Sequence, residues 1–362
     1  MPVTRSDSGV LLISCVGPGM MIPGPMSFNA GNMDHHDPGP RTPDSRPSLR
    51  LARLAMRTRF EVVIADSGDA ANLRAAGEDA LDEITAAELL LSAFQDGAEL
   101  RQINHLAGHA TVTLSPLMLQ FLRRCCALVE ATDGAFDPAI GAMLDCWRIQ
   151  ADGGDHAEPS PEALATALAA GDLRRQLLLD PQERHLRFAH PNTRLDPGAV
   201  GKGWALDRAA ARLRDAGIHH ALVHGGTSTA CALGDEPGRS GWTIAIAHPS
   251  DPTKSLALAH LRDSSLSVSA QHGRMVMIGG RTIGHIIDPR SGHPVSGTLL
   301  SAVIHPSAMV SDALSTALLV LGEAGFDLLT TYFADAHLLL VRKNGDHIDQ
   351  HTAGTAFQPP ST

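Results

Sequence analysis

The sequence predicts an α+β protein in which helices and strands are segregated along the chain. In the first half, apolar residues recur at helical spacing over residues 69–91. In the second half, short apolar or alternating segments predominate from Ala221 onward. Because strands cluster with strands instead of alternating with helices, a doubly wound parallel sheet is disfavoured. We expect mixed or antiparallel sheets with packed helices.

Length and composition are compatible with one large domain or two smaller ones. The chain has 362 residues, 43% of them hydrophobic, which is enough to bury a large core. We expect a single domain over residues 51–352. The net charge of −10 argues against a general nucleic-acid binder and means that an anionic ligand needs local positive charge. The five cysteines are odd in number and show no CxxC spacing, which argues against a disulfide framework or a structural zinc site.

Both ends of the chain are predicted to be loose. Residues 1–50 contain eight prolines and six glycines with little periodicity, which is typical of a disordered tail, and residues 353–362 are expected to form a loose tail. The apolar segment 10–16 is too short to span a membrane, and Cys15 gives only a faint lipoprotein-like signal. We therefore expect a cytoplasmic protein with no membrane span.

The first half contains several helix signals and two strand signals. Alternation predicts one half-buried strand over residues 54–64, followed by the helix over residues 69–91. Ser115-Pro116 and Ser160-Pro161 each combine a helix cap with proline at the first helical position, so both predict helix starts. A hairpin is predicted within residues 176–189.

The second half is predicted to consist mostly of strands. Gly217 is expected to end a helix that begins near Lys202. Strands are then predicted at residues 221–224, 227–232, 242–247, 256–261, 266–269, 275–278, 282–287 and 300–305. A long helix over residues 307–321, a shorter one from Gly325, and a hairpin around Asn344-Gly345 complete the chain.

Residues 195–207 combine a strand end, a glycine-rich turn and the start of a helix. Asp196 provides a carboxylate and Lys202 a cation close to the free backbone N–H groups of the helix N-terminus. Such a place suits phosphate, or a metal that carries phosphate. An ordinary strand-to-helix connection would explain the glycines equally well. The Walker and dinucleotide-binding glycine spacings are both absent.

The predicted helix over residues 307–321 carries oxygen ligands on one face. Asp312, Ser315 and Thr316 stand at i, i+3 and i+4, a spacing that places three side chains together. Hard oxygen ligands on a rigid face suit Mg²⁺. A solvated polar face is the alternative interpretation.

A further polar segment is Gly284-His-Ile-Ile-Asp-Pro-Arg-Ser-Gly-His-Pro294. His285 ends a predicted strand, where an imidazole can act as a general base near neutral pH. Arg290 would meet a phosphate or pair with a carboxylate. The alternatives are a structural histidine at position 285 and a turn-capping role for Asp288.

Together these segments resemble the ApbE-type FAD:protein FMN transferase family. The resemblance covers about residues 54–342 and rests on motifs in the family's order. These motifs are Met56-Arg-Thr-Arg-Phe60, Leu91-Ser-Ala-Phe94 with Glu99 and Asn104, Thr132-Asp-Gly-Ala-Phe-Asp-Pro138, Asp196-Pro-Gly-Ala-Val-Gly-Lys-Gly203, Gly225-Gly226, Gly284-His-Ile-Ile-Asp-Pro-Arg-Ser-Gly292 and Ser311-Asp-Ala-Leu-Ser-Thr316.

The resemblance implies an ApbE-like fold with a flavin site between its two halves. It also implies Mg²⁺-dependent transfer of FMN from FAD to a Ser or Thr hydroxyl of an acceptor flavoprotein, with release of AMP. The residues implied to bind FAD are Met56, Phe94, Ala135, Phe136, Asp137, Asp196, Lys202 and Ile286. The implied metal ligands are the backbone carbonyl near Ala199 together with Asp312, Ser315 and Thr316. His285 is implied as the base that activates the acceptor hydroxyl, and Asp312 as the second catalytic residue.

The sequence departs from the family pattern on the flavin or acceptor side. Thr227 follows Gly225-Gly226 where the family commonly has Asp, and Val268-Ser269-Ala270 replaces the usual Thr-Ser-Gly. Two other functions therefore stay open. One is an FAD pyrophosphatase that forms FMN and AMP, and the other is a non-catalytic FAD-binding protein.

Overall fold

The fold is taken from a computed structural model of the chain. It describes residues 11–13, 49–149, 157–271, 275–278, 281–345 and 347–360. Cys15 and most of the predicted N-terminal tail lie outside the described residues.

The described residues form strands, α-helices and two short 3₁₀ helices. The strands are β1 (Leu11–Ile13), β2 (Leu49–Ala55), β3 (Thr58–Ile64), β4 (Val112–Thr113), β5 (Leu177–Asp180), β6 (His185–Phe188), β7 (Ala221–Gly225), β8 (Thr229–Leu233), β9 (Trp242–His248), β10 (Asp251–Leu261), β11 (Ser265–Ala270), β12 (Met275–Ile278), β13 (Arg281–Gly284), β14 (Thr298–His305), β15 (His337–Asn344), β16 (His347–Ala353) and β17 (Phe357–Gln358). The helices are α1 (Ala70–Leu91), α2 (Glu99–Leu106), α3 (Pro116–Ala131), α4 (Gly141–Cys146), α5 (Pro161–Ala169), α6 (Leu173–Gln176), α7 (Gly201–Asp215), α8 (Ala308–Leu321) and α9 (Gly325–Tyr332), with 3₁₀ helices at Pro138–Ile140 and Gly322–Ala324.

The strands form one large sheet and three smaller ones. The large sheet is antiparallel throughout and has the order β16-β15-β14-β11-β8-β7-β3-β2. A four-stranded sheet has the order β1-β9-β10-β17, in which β1 pairs with β9 in parallel. The sheets β4-β6-β5 and β12-β13 complete the set. These pairings confirm the predicted α+β class with mixed and antiparallel sheets.

The large sheet lies between a helical layer and the four-stranded sheet. Alternate residues of β3 belong to two different hydrophobic cores, because successive side chains of a strand point to opposite faces of the sheet. Val62 packs with Leu81 and other residues of the helices, whereas Val63 packs with Trp242 and the four-stranded sheet. The helical layer therefore lies on one face of a sheet that is covered on both sides.

The structure differs from the sequence predictions at three places near the edges of the fold. Residues 54–64 do not form one strand, because β2 and β3 form a hairpin that turns at Met56 and Arg57, both with positive φ. The C-terminal segment predicted to be loose contains β17, in which Gln358 pairs with Leu258 of β10. Within the predicted N-terminal tail, β1 is likewise a strand. Disorder elsewhere in that tail stays a prediction.

Helix α8 is a core helix. Within the described part of the chain, Ala308–Tyr332 is the one segment long and apolar enough, by length and composition alone, to cross a membrane. In the fold it is interrupted at Gly322, where φ is 63°, and so becomes α8 and α9. Helix α8 packs against α7, β11 and β14, and ten of its fourteen residues are buried. This packing places the polar face of α8 next to the first turn of α7.

Candidate active site

A cavity of about 480 Å³ opens between α7, α8, β11 and the segment after β13. Both halves of the chain contribute to its lining. Ten of the thirteen predicted site residues line it: Ala135, Phe136, Asp137, Asp196, Ala199, Lys202, His285, Ile286, Asp312 and Thr316. The structure therefore brings together residues that are up to 181 positions apart in sequence, from Ala135 to Thr316.

Three predicted site residues lie elsewhere. Met56 forms the β2–β3 turn, where its N–H donates to Glu88 Oε1 at 2.7 Å. Phe94 is 64% exposed in the segment between α1 and α2. Ser315 is fully buried behind the cavity wall. None of the three lines the cavity.

Asp312 is a buried carboxylate of the cavity and is 5% exposed. Its Oδ2 accepts a hydrogen bond from Gly203 N at 3.0 Å, and Lys202 Nζ lies 3.9 Å from the same oxygen. Its Oδ1 lies 3.5 Å from the hydroxyl of Thr229. The first turn of α7 therefore supplies Asp312 with a backbone donor and a nearby cation.

This contact requires glycine at position 203. A Cβ there would lie 2.2 Å from Ala308 O and 2.7 Å from Met309 Cα, which are backbone atoms of α8 that cannot rotate away. Gly203 thus allows α7 and α8 to approach closely enough for the hydrogen bond between Gly203 and Asp312. The sequence places Gly203 in a motif but gives no sign of this helix contact.

We expect Gly203→Ala to destabilise the protein and to separate the two helices. Overpacking of this kind costs about 1–3 kcal/mol. Gly201→Ala is a matched control in the same turn, because its Cβ would meet Pro197 and Leu91 at 3.5 and 3.6 Å, ordinary contact distances. Thermal unfolding of both variants would check this, with a clear loss of Tm for Gly203→Ala only. Equal Tm values for the two variants would contradict the proposed close contact.

Three hydroxyl groups meet beside Asp312. Ser269 Oγ lies 2.8 Å from Ser315 Oγ and 3.2 Å from Thr316 Oγ1. Ser269 lines the cavity, whereas Ser315 supports it from behind through a hydrogen bond to Asp312 O at 2.9 Å. The sequence did not assign a role to Ser269. Only the pairing of β11 with β14 and its packing under α8 bring it to the site.

Asp137 links two backbone segments in another part of the cavity wall. Its Oδ1 accepts from Ala139 N at 2.7 Å, and its Oδ2 accepts from Leu173 N at 2.9 Å. Burial raises the pKa of the Asp137 carboxyl to about 6, although the two backbone donors oppose that shift. Both oxygens are engaged by the backbone, so Asp137 shapes the wall of the cavity as the cap of the 3₁₀ helix.

The loop that carries Asp196 is fixed by hydrogen bonds from two other elements. The side-chain amide of Asn104 in α2 donates to Leu195 O at 2.9 Å and accepts from Leu195 N at 2.8 Å. The N–H of Asp196 donates to Pro138 O at 2.7 Å, and Asp196 Oδ1 accepts from Gly198 N at 2.7 Å. These bonds hold the glycine-rich turn against the wall formed by Asp137.

His285 lies directly after β13 and lines the cavity. The chain beyond it is held in place, because Ile286 O accepts from Val295 N at 2.9 Å. Arg290 pairs with Asp288, with Nη2 to Oδ2 at 2.8 Å, and does not line the cavity. Of the two roles that the sequence left open for Arg290, the structure shows the pairing with a carboxylate.

The cavity lining contains an apolar cluster and charged residues. Ile140, Leu144, Ile149 and Ile287 contribute apolar side chains, whereas Lys202 and Asp312 lie at the helix junction. The described residues include no group of three or more His, Cys, Asp or Glu side chains that could hold a metal ion. Oxygen ligands for a hard cation are nevertheless present in the Asp312 carboxylate, the Thr316 hydroxyl and the backbone at Ala199.

The fold and cavity define a class of protein. It is a segregated α+β protein whose cavity lies where two helices meet the main sheet and is lined by both apolar and charged residues. A model of the ApbE family matches residues 56–338. The chain belongs to the ApbE family.

Sequence relatives agree with this membership. A protein of Treponema pallidum named FAD:protein FMN transferase is 32% identical over 284 residues, covering 75% of this chain and 78% of the relative. A protein of Salmonella typhimurium with the same name is 27% identical over 292 residues, covering 79% and 82%. A third, from Rhodobacter capsulatus, is 31% identical, and the match spans 47% of its length.

Solved structures share the fold. The ApbE protein from Thermotoga maritima superposes with a TM-score of 0.75 and 26% identity, covering 84% of this chain and 97% of that protein. The flavinyl transferase ApbE from Pseudomonas stutzeri has a TM-score of 0.74 and 24% identity, covering 85% and 95%. These matches confirm the ApbE-like fold expected from the sequence.

Proposed function

We propose that this chain transfers FMN from FAD to a hydroxyl of an acceptor protein and releases AMP. The observation that carries the proposal is the convergence of Lys202, Asp312 and the N-terminus of α7 in a cavity that His285 also lines. The relatives from Treponema pallidum and Salmonella typhimurium are named for this activity.

The cavity suits the parts of FAD. Its volume of about 480 Å³ lies in the range of small-molecule sites. The apolar cluster that includes Ile140 and Ile287 offers a surface for a planar ring, and Lys202 offers a cation to the pyrophosphate. In this arrangement the helix N-terminus adds partial positive charge to that of the lysine. The local positive charge that the acidic chain requires is thereby provided.

We further propose Mg²⁺ as the cofactor. Asp312, Thr316 and the carbonyl of Ala199 would hold it, and Ser315 would support Ser269 and the helix backbone from behind. When bound, Mg²⁺ would neutralise charge on the phosphate oxygens. The donor set supports this proposal, because a carboxylate, a hydroxyl and a carbonyl are the hard oxygen ligands that Mg²⁺ prefers.

The residues of this chain account for the other requirements of the reaction. The oxygen of a Ser or Thr hydroxyl attacks the FMN-side phosphorus of FAD, and a new phosphoester bond forms. The bond from that phosphorus to the bridging oxygen breaks, so AMP leaves with the electron pair. His285 accepts the proton of the hydroxyl, and Lys202 stabilises the charge that develops on the leaving phosphate.

The full chain incubated with FAD, MgCl₂ and a candidate acceptor flavoprotein tests the proposal. We expect covalent flavin fluorescence on the acceptor in a denaturing gel, with one AMP released per label. Release of AMP without labelling would instead support the pyrophosphatase. FAD that stays bound without AMP release would support the non-catalytic protein. Omission of the acceptor controls for hydrolysis.

A further inference from the structure

Helices α7 and α8 cap each other. The N-cap residue of α7, Val200, offers no side-chain hydrogen bond, and Asp312 of α8 accepts from Gly203 N in its place. In the other direction, Asp207 of α7 accepts from the N-terminus of α8, with Oδ1 to Ala308 N at 2.6 Å. Each helix therefore satisfies backbone donors that the other helix leaves unpaired.

The cap on α8 engages its whole first turn. Asp207 Oδ2 accepts from Met309 N at 3.2 Å and from Ser307 Oγ at 2.6 Å. Ser307 Oγ in turn accepts from Val310 N at 3.4 Å. The first three N–H groups of α8 thus depend directly or through Ser307 on one carboxylate of α7. Arg124 Nη1, on α3, lies 3.9 Å from Asp207 Oδ2.

The spacing links this cap to the cavity. Asp207 stands four residues after Gly203 on α7, and Asp312 stands four residues after Ala308 on α8. Residues at i and i+4 lie on one face of a helix. Because a helical turn is rigid, the anchor between Asp207 and Ala308 also sets where Asp312 meets Gly203 and Lys202.

We infer that Asp207 is a positioning residue for FMN transfer. It does not line the cavity. It fixes α8 against α7 so that the Asp312 carboxylate lies at the first turn of α7. The catalytic part of this inference rests on the proposed function, whereas the positional part rests on the helix contacts alone.

Hydrogen exchange at the Gly203 amide tests the positional part. In Asp207→Ala this amide should exchange roughly 2- to 30-fold faster, the range expected for the loss of a helix cap. In Asp207→Asn, which keeps one acceptor oxygen, the Gly203 amide should exchange at a rate between those of the wild type and the alanine variant. Asp69→Ala is the matched control, because Asp69 caps α1 by accepting from Ala71 N and Asn72 N and does not line the cavity.

Transfer kinetics test the catalytic part. We expect kcat to fall about 10–100-fold in Asp207→Ala, the usual effect of losing a residue that orients a ligand. The MgCl₂ concentration that half-maximally raises Tm should increase by a similar factor. Asp69→Ala should lower Tm by a comparable few degrees but leave kcat and the half-maximal MgCl₂ concentration unchanged.

The outcomes separate the two parts. Unchanged Gly203 exchange in Asp207→Ala, or an equal loss of kcat in Asp69→Ala, would overturn the inference. If the Gly203 amide exchanges faster in Asp207→Ala but the wild type transfers no FMN, the positional role stands and the proposed function fails.

Discussion

Asp312→Ala is expected to abolish Mg²⁺-dependent FMN transfer, and Asp312→Asn to reduce it by at least about 100-fold, the usual scale for losing one electrostatic contact in an active site. The carboxylate is buried and faces both Lys202 and the Gly203 N–H. Asparagine can keep the hydrogen bond to Gly203 but carries no charge. The asparagine variant therefore separates the loss of charge from the loss of the helix contact.

The measurement is the rate of acceptor labelling as a function of MgCl₂ concentration, with Tm followed in parallel. Asp327→Asn is the control, because Asp327 is an exposed carboxylate on the neighbouring helix α9. We expect Asp327→Asn to behave as the wild type. Substantial Mg²⁺-dependent turnover in Asp312→Ala would show that the metal assignment is wrong.

His285→Ala is expected to lower kcat for FMN transfer about 10²–10⁴-fold, the contribution of a general base. His285 lines the cavity together with Lys202 and Asp312, so its imidazole is placed to take a proton from a hydroxyl that enters there. FAD binding should change little, because the contacts proposed for the pyrophosphate come from α7 and α8.

Single-turnover labelling and FAD titration would measure the two effects separately. His293→Ala is a control from the same segment, since His293 is exposed and does not line the cavity. Transfer by His285→Ala within a few fold of the wild-type rate would exclude His285 as the base. A parallel loss of FAD affinity would assign it to binding instead.

Local sequence signals were reliable where one element contains all the interacting groups. Ser115 and Ser160 cap α3 and α5 as predicted, because a cap joins a side chain to an N–H group three residues away. The face of α8 formed by Asp312, Ser315 and Thr316 follows from helix geometry in the same way. Such features need no knowledge of the rest of the fold.

The β2–β3 turn shows where local signals fail. Met56 and Arg57 both have positive φ, a conformation that favours glycine or asparagine. Neither residue type stands there, so the alternating pattern looked like one continuous strand. The hydrogen bond from Met56 N to Glu88, 32 positions away, contributes to the stability of this turn. A contact at that separation leaves no periodic signal in the sequence.

The sequence by itself determined the α+β class, most of the elements and ten of the residues that line the cavity. The class and the elements depend on side-chain periodicity and caps, which are local patterns. The site residues depend on motifs that resemble those of a known family. Only the tertiary structure decided that Ser315 lies behind Ser269, that Gly203 touches the backbone of Ala308, and that Asp207 caps α8. These contacts join positions 46 to 105 residues apart, and the packing of α8 against β11 and α7 determines which atoms meet.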